Sequence, residues 1–469
     1  MPPHHRIRDR LQSLHLAALA LAALAVAAPL PFAGVTPGAQ FGLELAAAAV
    51  LVLSIVASTA RPVAAAGWVP PILLATVCVI GAARPGLVSA AIAGRAALVW
   101  LAVAAVWMAA AHSGGTRQER RVLAAGVCLA GVVQVALAAL TINQARPSLW
   151  GTELADPASR LRGTFVNPDH LAVFLGMALP VALAWGWWTW RHRREAPTIE
   201  LRLLRLAPPV ATWLVLFIGL AFTGSRAGLV AALTATLVQG ALLAVRRRRW
   251  RASASGLIAG SVGVGVVALI GLQQGLGRWL GTSAYELAWN DRLAVYRATL
   301  ELWSRQPIWG WGLGAFREVF PAVQPAGAVA SATWWHAHND WLELLATTGI
   351  IGAALVLAGL VVILTRLGRV LTDGARSEDA AAALAALGAL TAVAIHSFFD
   401  FGLAMPANPI VLAVILGGAV TARAAGDSST AHASRHRPPD RAAADRRPSQ
   451  AVRARPDAHN RDGSSPTAT

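Results

Sequence analysis

The chain has 469 residues, of which 56% are hydrophobic and only 13% charged, against roughly 25% charged in soluble domains, and this excludes an ordinary soluble enzyme. The net charge of +17 raises nucleic acid as a partner. All the basic residues are arginine, however, and they cluster between apolar blocks, so the charge belongs to a membrane topology and nucleic acid is excluded.

Apolar blocks recur near 13–30, 39–57, 68–83, 87–111, 122–142, 169–190, 207–223, 227–245, 256–273, 341–365, 380–398 and 406–422. Most have the length that a helix needs to cross a hydrocarbon layer of about 30 Å. They predict an all-α polytopic membrane protein with about twelve transmembrane helices. The first block follows a basic stretch and ends in small residues like a signal peptide, but with so many spans behind it an uncleaved helix is expected. The third block is short and carries Pro70 and Pro71, so a broken or re-entrant segment is the alternative to a crossing.

Arginine clusters at 6–10, 117–121, 191–205, 246–251 and 366–369 fall in alternate gaps, which places both termini inside when the third block crosses. The external side then carries 143–168 and a large loop, 274–340, between helices 9 and 10. Residues 1–423 form the transmembrane domain, and the polar tail 424–469 is expected to be disordered in the cytoplasm. Cys78 and Cys128 lie inside apolar blocks and receive no role.

Within the large loop, Asn290 and Asp291 can cap a helix that runs to about Ser304 and is closed by Pro307. Arg292, Tyr296, Thr299 and Trp303 share one of its faces. The stretch from Gly310 to Gly314 reads as a turn. His336, Ala337, His338, Asn339 and Asp340 follow where the chain re-enters the membrane; helix capping by Asn339 or Asp340 is one account of them, and metal ligation by His336, His338 and Asp340 on one face of a strand is another.

Outer arginines are a second signal, because the topology disfavours them: Arg162, Arg226 and Arg292 suggest an anionic ligand, with Arg226 at the membrane boundary the most telling. Tryptophan is a third, with eight of the eighteen between Trp279 and Trp341; interfacial anchoring covers most, and sugar stacking is the alternative for Trp309, Trp311 and Trp334. His396 and Asp400, at the outer end of the eleventh span, could hydrogen-bond to the same site, and a structural interhelical bond is the other account of them.

Taken together, the run from Arg162 to Pro168, Thr223-Gly224-Ser225-Arg226, Arg292 to Trp303 followed by Pro307 and Gly310-Trp311-Gly312, and His338-Asn339 with nine residues before Gly349-x-x-Gly352 resemble the O-antigen ligase and polymerase superfamily. The likeness covers about 120–420. It implies a GT-C-like, metal-independent glycosyltransferase without a cofactor. Such an enzyme, in the bacterial inner (cytoplasmic) membrane with its active face outside, moves a glycan from undecaprenyl pyrophosphate to an acceptor hydroxyl in lipopolysaccharide or other polysaccharide biosynthesis of the cell envelope.

By position, His338 matches the family's essential histidine, and Arg226 and Arg292 match arginines that hold the pyrophosphate. Arg162, Asn339 and Asp340 are assigned to substrate binding. The chemistry suits these residue types: arginine's planar fork pairs with phosphate oxygens, and an imidazole of ordinary pKa about 6.5 can take the proton of an attacking hydroxyl. Asp340 and Glu343 are competing bases. The acceptor is a saccharide end, a lipid-linked sugar or a protein side chain. One branch of the superfamily is described as bicarbonate transporters, so an anion transporter is the rival from another class.

Overall fold

A computed structural model describes residues 16–57, 63–84, 86–141, 148–153, 160–247, 289–325 and 333–423. Its long helices are α1 (Leu16–Ala27), α2 (Pro37–Ala57), α3 (Ala65–Ala83), α4 (Ala90–Ser113), α5 (Arg117–Thr141), α6 (Pro168–Arg191), α7 (Ile199–Phe222) and α8 (Arg226–Arg247). These are followed by α9 (Trp289–Arg305), the single turn α10 (Phe316–Val319), α11 (Asp340–Thr372), α12 (Ser377–His396) and α13 (Ala407–Ala419). The strands among the described residues are one two-residue pair, β1 (Ser148–Leu149) and β2 (Thr152–Glu153), joined antiparallel.

Nine of the described helices are long and apolar enough to cross a membrane, so the chain is an all-α polytopic membrane protein. The first and last expected spans appear as the shorter apolar helices Leu16–Ala27 and Ala407–Ala419. The latter is almost wholly buried in protein, which explains how a short helix can satisfy its surroundings. The span expected at 256–273, the side chain of Asn290 and the tail 424–469 lie outside the described residues or side chains, and Asp291 stands within the first turn of α9, which begins at Trp289, and not at its cap. Pro70 and Pro71 do not break α3; they sit in its first two turns, where few intrahelical bonds are forfeited.

Two helices form the centre: 72% of the apolar window of α6 and 67% of that of α12 are buried, against 22% in α2 and α11. In such surroundings backbone and side-chain polar groups must pair within the protein. Gln239 on α8 does so by donating to Pro180 O at 3.0 Å and Leu384 O at 2.9 Å, tying α8, α6 and α12 together. At the end expected to face the cytoplasm, a buried Arg120–Asp379 pair at 2.6 Å joins α5 to α12.

Helix α11 is 33 residues long and is kinked in its N-terminal part, where Gly349 takes φ 64 and ψ −170. The kink releases backbone groups that the 307–312 stretch then satisfies. Ile350 N donates to Pro307 O at 2.9 Å and Ile351 N to Ile308 O at 3.3 Å, while Ala346 O and Thr347 O accept from Trp311 N and Gly312 N at 2.9 and 2.8 Å. The two backbones are so close that a Cβ on Gly349 would lie 2.2 Å from Ile308 O. Glycine is required there by both conformation and space, which is the physical content of the first glycine in Gly349-x-x-Gly352. The expected turn at 310–314 is present, with Gly310, Gly312 and Gly314 all at positive φ.

Candidate functional site

The site lies where the start of α6, the α7–α8 turn, α9, the segment 333–340 and the link between α12 and α13 meet. Asn339 begins it by capping α11: its side-chain oxygen accepts from Leu342 N at 3.0 Å, the expected N-cap arrangement. Its amide nitrogen donates to Phe398 O at 3.1 Å. Asp340 extends the seam, with its N–H on Ser397 O at 2.9 Å and Oδ2 accepting from Ser397 Oγ at 2.8 Å. The re-entry segment is thereby fixed to the α12–α13 link.

His338 precedes this cap with φ 52, a left-handed conformation uncommon for a residue with a side chain. Helix α9 braces it: the Tyr296 hydroxyl lies 2.9 Å from His338 O and 3.1 Å from Phe398 O, and Arg292 Nη1 donates to Phe399 O at 3.0 Å. The stripe expected on α9 therefore faces the link, with Arg292 and Tyr296 as its contact residues.

On the other side of the imidazole is Asp400, 4% exposed. Its Oδ1 lies 3.4 Å from His338 Nδ1, and its Oδ2 lies 3.8 Å from Nε2 of His170, in the first turn of α6. Burial by itself drives this carboxyl up, but the close His338 nitrogen and the imidazoles of His170 and His396 outweigh it and hold Asp400 below the ordinary carboxylate range. His338 Nδ1 and both ring nitrogens of His170 and His396 are buried without a hydrogen-bond partner among the described residues. Such groups are costly in a merely structural role. Of the two residues expected at this end of the span, Asp400 faces the site through His338 and His170, and the His396 ring makes no interhelical hydrogen bond among the described residues.

Phe401 organises the histidines. Its ring is stacked on His336 at 4.4 Å and meets the edges of His338 and His170, both at 4.7 Å. His336 Nδ1 is 2.8 Å from Glu343 Oε1, and Ala337 N donates to Glu343 Oε2 at 2.9 Å. Burial disfavours the charged His336 ring, yet the charge and hydrogen bond of Glu343, with Asp340 and Asp400 nearby, raise its pKa above the ordinary value. The three side chains of the metal reading thus turn to different partners: His336 to Glu343, His338 to Asp400 and Asp340 to Ser397. Among the described residues no group of three or more His, Cys, Asp or Glu is placed to hold a metal ion.

The arginine side adjoins this cluster through α6. Arg160 Nε donates to Thr223 O at 2.6 Å and its Nη2 pairs with Asp169 at 2.9 Å, while Leu161 N donates to Phe222 O at 3.0 Å. The 160–165 segment is in this way strapped to the α7–α8 turn, whose next residue, Arg226, opens α8 and is exposed. Arg162 is buried, at 6% exposure. Arg160 reaches the histidine cluster by way of Asp169, next to His170, whereas Arg292, Asn339 and Asp340 are joined to His338 through the 397–400 link.

Three residues of this arrangement were not singled out in the sequence, Arg160, His170 and Phe401. Arg160 and His170 flank the Arg162-to-Pro168 run, and Phe401 follows Asp400, which were the available signals. The sugar-stacking alternative fails for Trp334, which is buried, while Trp311 is half-buried against the same core. Trp334 is 6% exposed in a small core with Val295, Leu302 and Phe320, and Trp311 Nε1 donates to Leu302 O at 2.7 Å. Trp309 is 46% exposed.

Comparison with known families places an O-antigen ligase match at residues 210–357. That stretch contains Arg226, Arg292, His338, Asn339, Asp340 and the Gly349-x-x-Gly352 pair, and it excludes Arg162, His170 and Asp400. No curated protein matches the chain.

Proposed function

We propose that the chain, which matches the O-antigen ligase family over residues 210–357, moves a glycan from a polyprenyl pyrophosphate, in the undecaprenyl form, to an acceptor hydroxyl. The family implies a glycosyltransferase-type membrane enzyme acting on a lipid-linked glycan and an acceptor. The finer reading rests on one observation, the buried Asp400 carboxylate beside Nδ1 of His338.

A carboxylate at Nδ1 favours the tautomer that carries its proton there, leaving Nε2 as the free base. In the reaction the acceptor oxygen forms a bond to the anomeric carbon and its proton passes to Nε2. The bond from that carbon to the pyrophosphate breaks, and the leaving group takes the electron pair. Arg226, Arg292 and Arg162 supply positive charge for that group, a role for which guanidinium is suited and which requires no metal ion. Asn339 and Asp340 hold the base's backbone and line the acceptor side.

The rival, an anion transporter, calls for polar groups near the bilayer midplane on broken helices. Here the histidines, Asp400 and the outer arginines gather at one end of the bundle, and Gln239 is engaged with backbone carbonyls. We place that end outside the inner membrane, so labels at Gly327→Cys and Ser449→Cys should react from opposite sides. The deciding experiment supplies purified protein with a lipid-linked glycan and candidate acceptors and identifies products by mass spectrometry. Bicarbonate uptake by reconstituted vesicles, with no transfer from any donor, overturns the reading.

A further inference from the structure

At the end of the bundle away from the histidine cluster, an open pocket of about 480 Å³ lies where α5 begins, α6 ends and α12 begins. Arg117 and Arg121 stand one turn apart on α5, His192 closes α6, and Arg376 immediately precedes α12. All four line the pocket. Basic residues are expected by topology alone on this side, the one assigned to the cytoplasm, but topology does not require them to form a concave and braced site.

The bracing is specific. Glu378 lies between the two α5 arginines, with Oε2 2.6 Å from Arg117 Nε and Oε1 paired with Arg121 Nη2. The Arg121 guanidinium also lies over the Trp188 ring, 4.6 Å from its centroid, and that ring packs at 4.7 Å on His192. His192 is fixed in turn, its Nδ1 2.8 Å from Trp188 O and its Nε2 3.1 Å from Ser377 Oγ. Each held guanidinium keeps N–H donors that Glu378 does not use, and such forks of donors suit phosphate oxygens. The charge is unbalanced as well. Three arginines line the pocket against two glutamates, Glu195 and Glu378, and the ion pairs leave Arg376 out.

The surface beside the pocket is apolar and open. Leu129, two turns along α5 from Arg121, is 55% exposed, and Trp185, one turn along α6 from Trp188, is 37% exposed. Arg121 to Leu129 covers about 12 Å at helical rise, within one half of a hydrocarbon layer of about 30 Å. A cationic pocket continued by such a surface fits a phosphate that carries hydrocarbon chains.

We propose that this pocket binds the phosphate of an anionic phospholipid from the membrane leaflet on that side, with its acyl chains lying over Leu129 and Trp185. Basic pockets between helices are suited to such headgroups. By touching α5, α6 and α12 at once, the lipid braces the two central helices at the end opposite to the site, where α6 begins with His170 and α12 leads to Asp400. The pocket is independent of the transferase reading, because none of the residues assigned to transfer lines it.

The test uses full-length protein in phosphatidylcholine nanodiscs that contain a small fraction of phosphatidylglycerol with a diazirine on its acyl chain. After irradiation, the label is expected on α5 and α6 around Leu129 and Trp185. Excess unlabelled phosphatidylglycerol should compete, whereas phosphatidylcholine and millimolar inorganic phosphate should not. Arg376→Gln, which breaks no ion pair among the described residues, should lower labelling about tenfold. Glu195→Gln removes an opposing charge and should raise it roughly threefold. Arg369→Gln, at an exposed position in the last turn of α11 that does not line the pocket, should leave it unchanged. All three are judged on monodisperse protein.

Equal labelling by a phosphatidylcholine probe, or an equal loss in Arg369→Gln, would mean diffuse lipid contact and overturn the proposal. Displacement by inorganic phosphate would assign the pocket to a soluble anion and overturn it as well, as would unchanged labelling in Arg376→Gln.

Discussion

Nδ1 of His338 faces Oδ1 of Asp400 at 3.4 Å across a pocket closed by Phe401 and by the Tyr296 hydroxyl on the histidine's own carbonyl. The distance is longer than a good hydrogen bond, and the nitrogen has no other partner among the described residues. Such contacts often tighten only when substrate is bound. The pair therefore has the form of a base with its orienting carboxylate rather than a closed structural bond.

The first prediction follows from that pair. His338→Ala should leave donor binding intact and reduce turnover about 100-fold or more. Asp400→Asn keeps the shape and removes the charge, so it should lower turnover by at least about tenfold with donor affinity unchanged. Single-turnover transfer and donor binding on folded protein read both; an active His338→Ala variant with a dead Asp340→Asn variant would move the base to Asp340.

Arg292 should be sensitive even to lysine. Its Nη1 holds Phe399 O at 3.0 Å, and an ammonium cannot make that bond and grip a phosphate in the same planar fork. Arg292→Lys should weaken donor binding about tenfold, the scale of one charge-assisted hydrogen bond of about 1.5–3 kcal/mol. Arg226→Ala should also weaken donor binding, and donor titration distinguishes this loss from a slower chemical step.

The kink of α11 gives a stability prediction. Gly349→Ala places a Cβ on a backbone at φ 64 and within 2.2 Å of Ile308 O, so it should destabilise by at least the roughly 1–3 kcal/mol of a strained backbone. Gly38→Ala, with nothing within 4 Å of the added carbon, is the matched control. Thermal unfolding in detergent compares them, and equal midpoints would refute the close approach.

The raised pKa of His336 predicts a pH dependence of known sign. A folded-state pKa above the unfolded value of about 6.5 means that the folded protein binds this proton more tightly. The pair with Glu343 then stabilises fully below that value, and its contribution is lost as pH rises through the raised pKa. Between pH 6 and 8 the wild type should lose more stability than Glu343→Gln, in which the main partner charge is absent. Parallel melting curves across this range would count against it.

On the proposed reading, in which arginines supply the countercharge for the leaving group, transfer should survive thorough chelation. Loss of turnover restored by one divalent ion would instead support metal-assisted chemistry.

The sequence alone determined the membrane character, nearly every described span and the His338-Asn339 and Gly349-x-x-Gly352 signals, because hydropathy, capping and turn chemistry are carried by neighbouring residues. It also marked Arg226 and Arg292 as misplaced charges. The tertiary structure alone decided their company. Asp400 and His170 come from different helix ends and meet His338 only when α6 and α12 pack, Trp334 is drawn into a core with α9, and the backbone freed at Gly349 is paired by residues 307–312. The groove along α11 is likewise written in no single segment, since its walls come from helices far apart in the chain and it becomes polar where α11 and the α12–α13 link converge. Partners that are remote in sequence leave no periodic trace, and it is the requirement to satisfy buried polar groups within the packed bundle that brings them together.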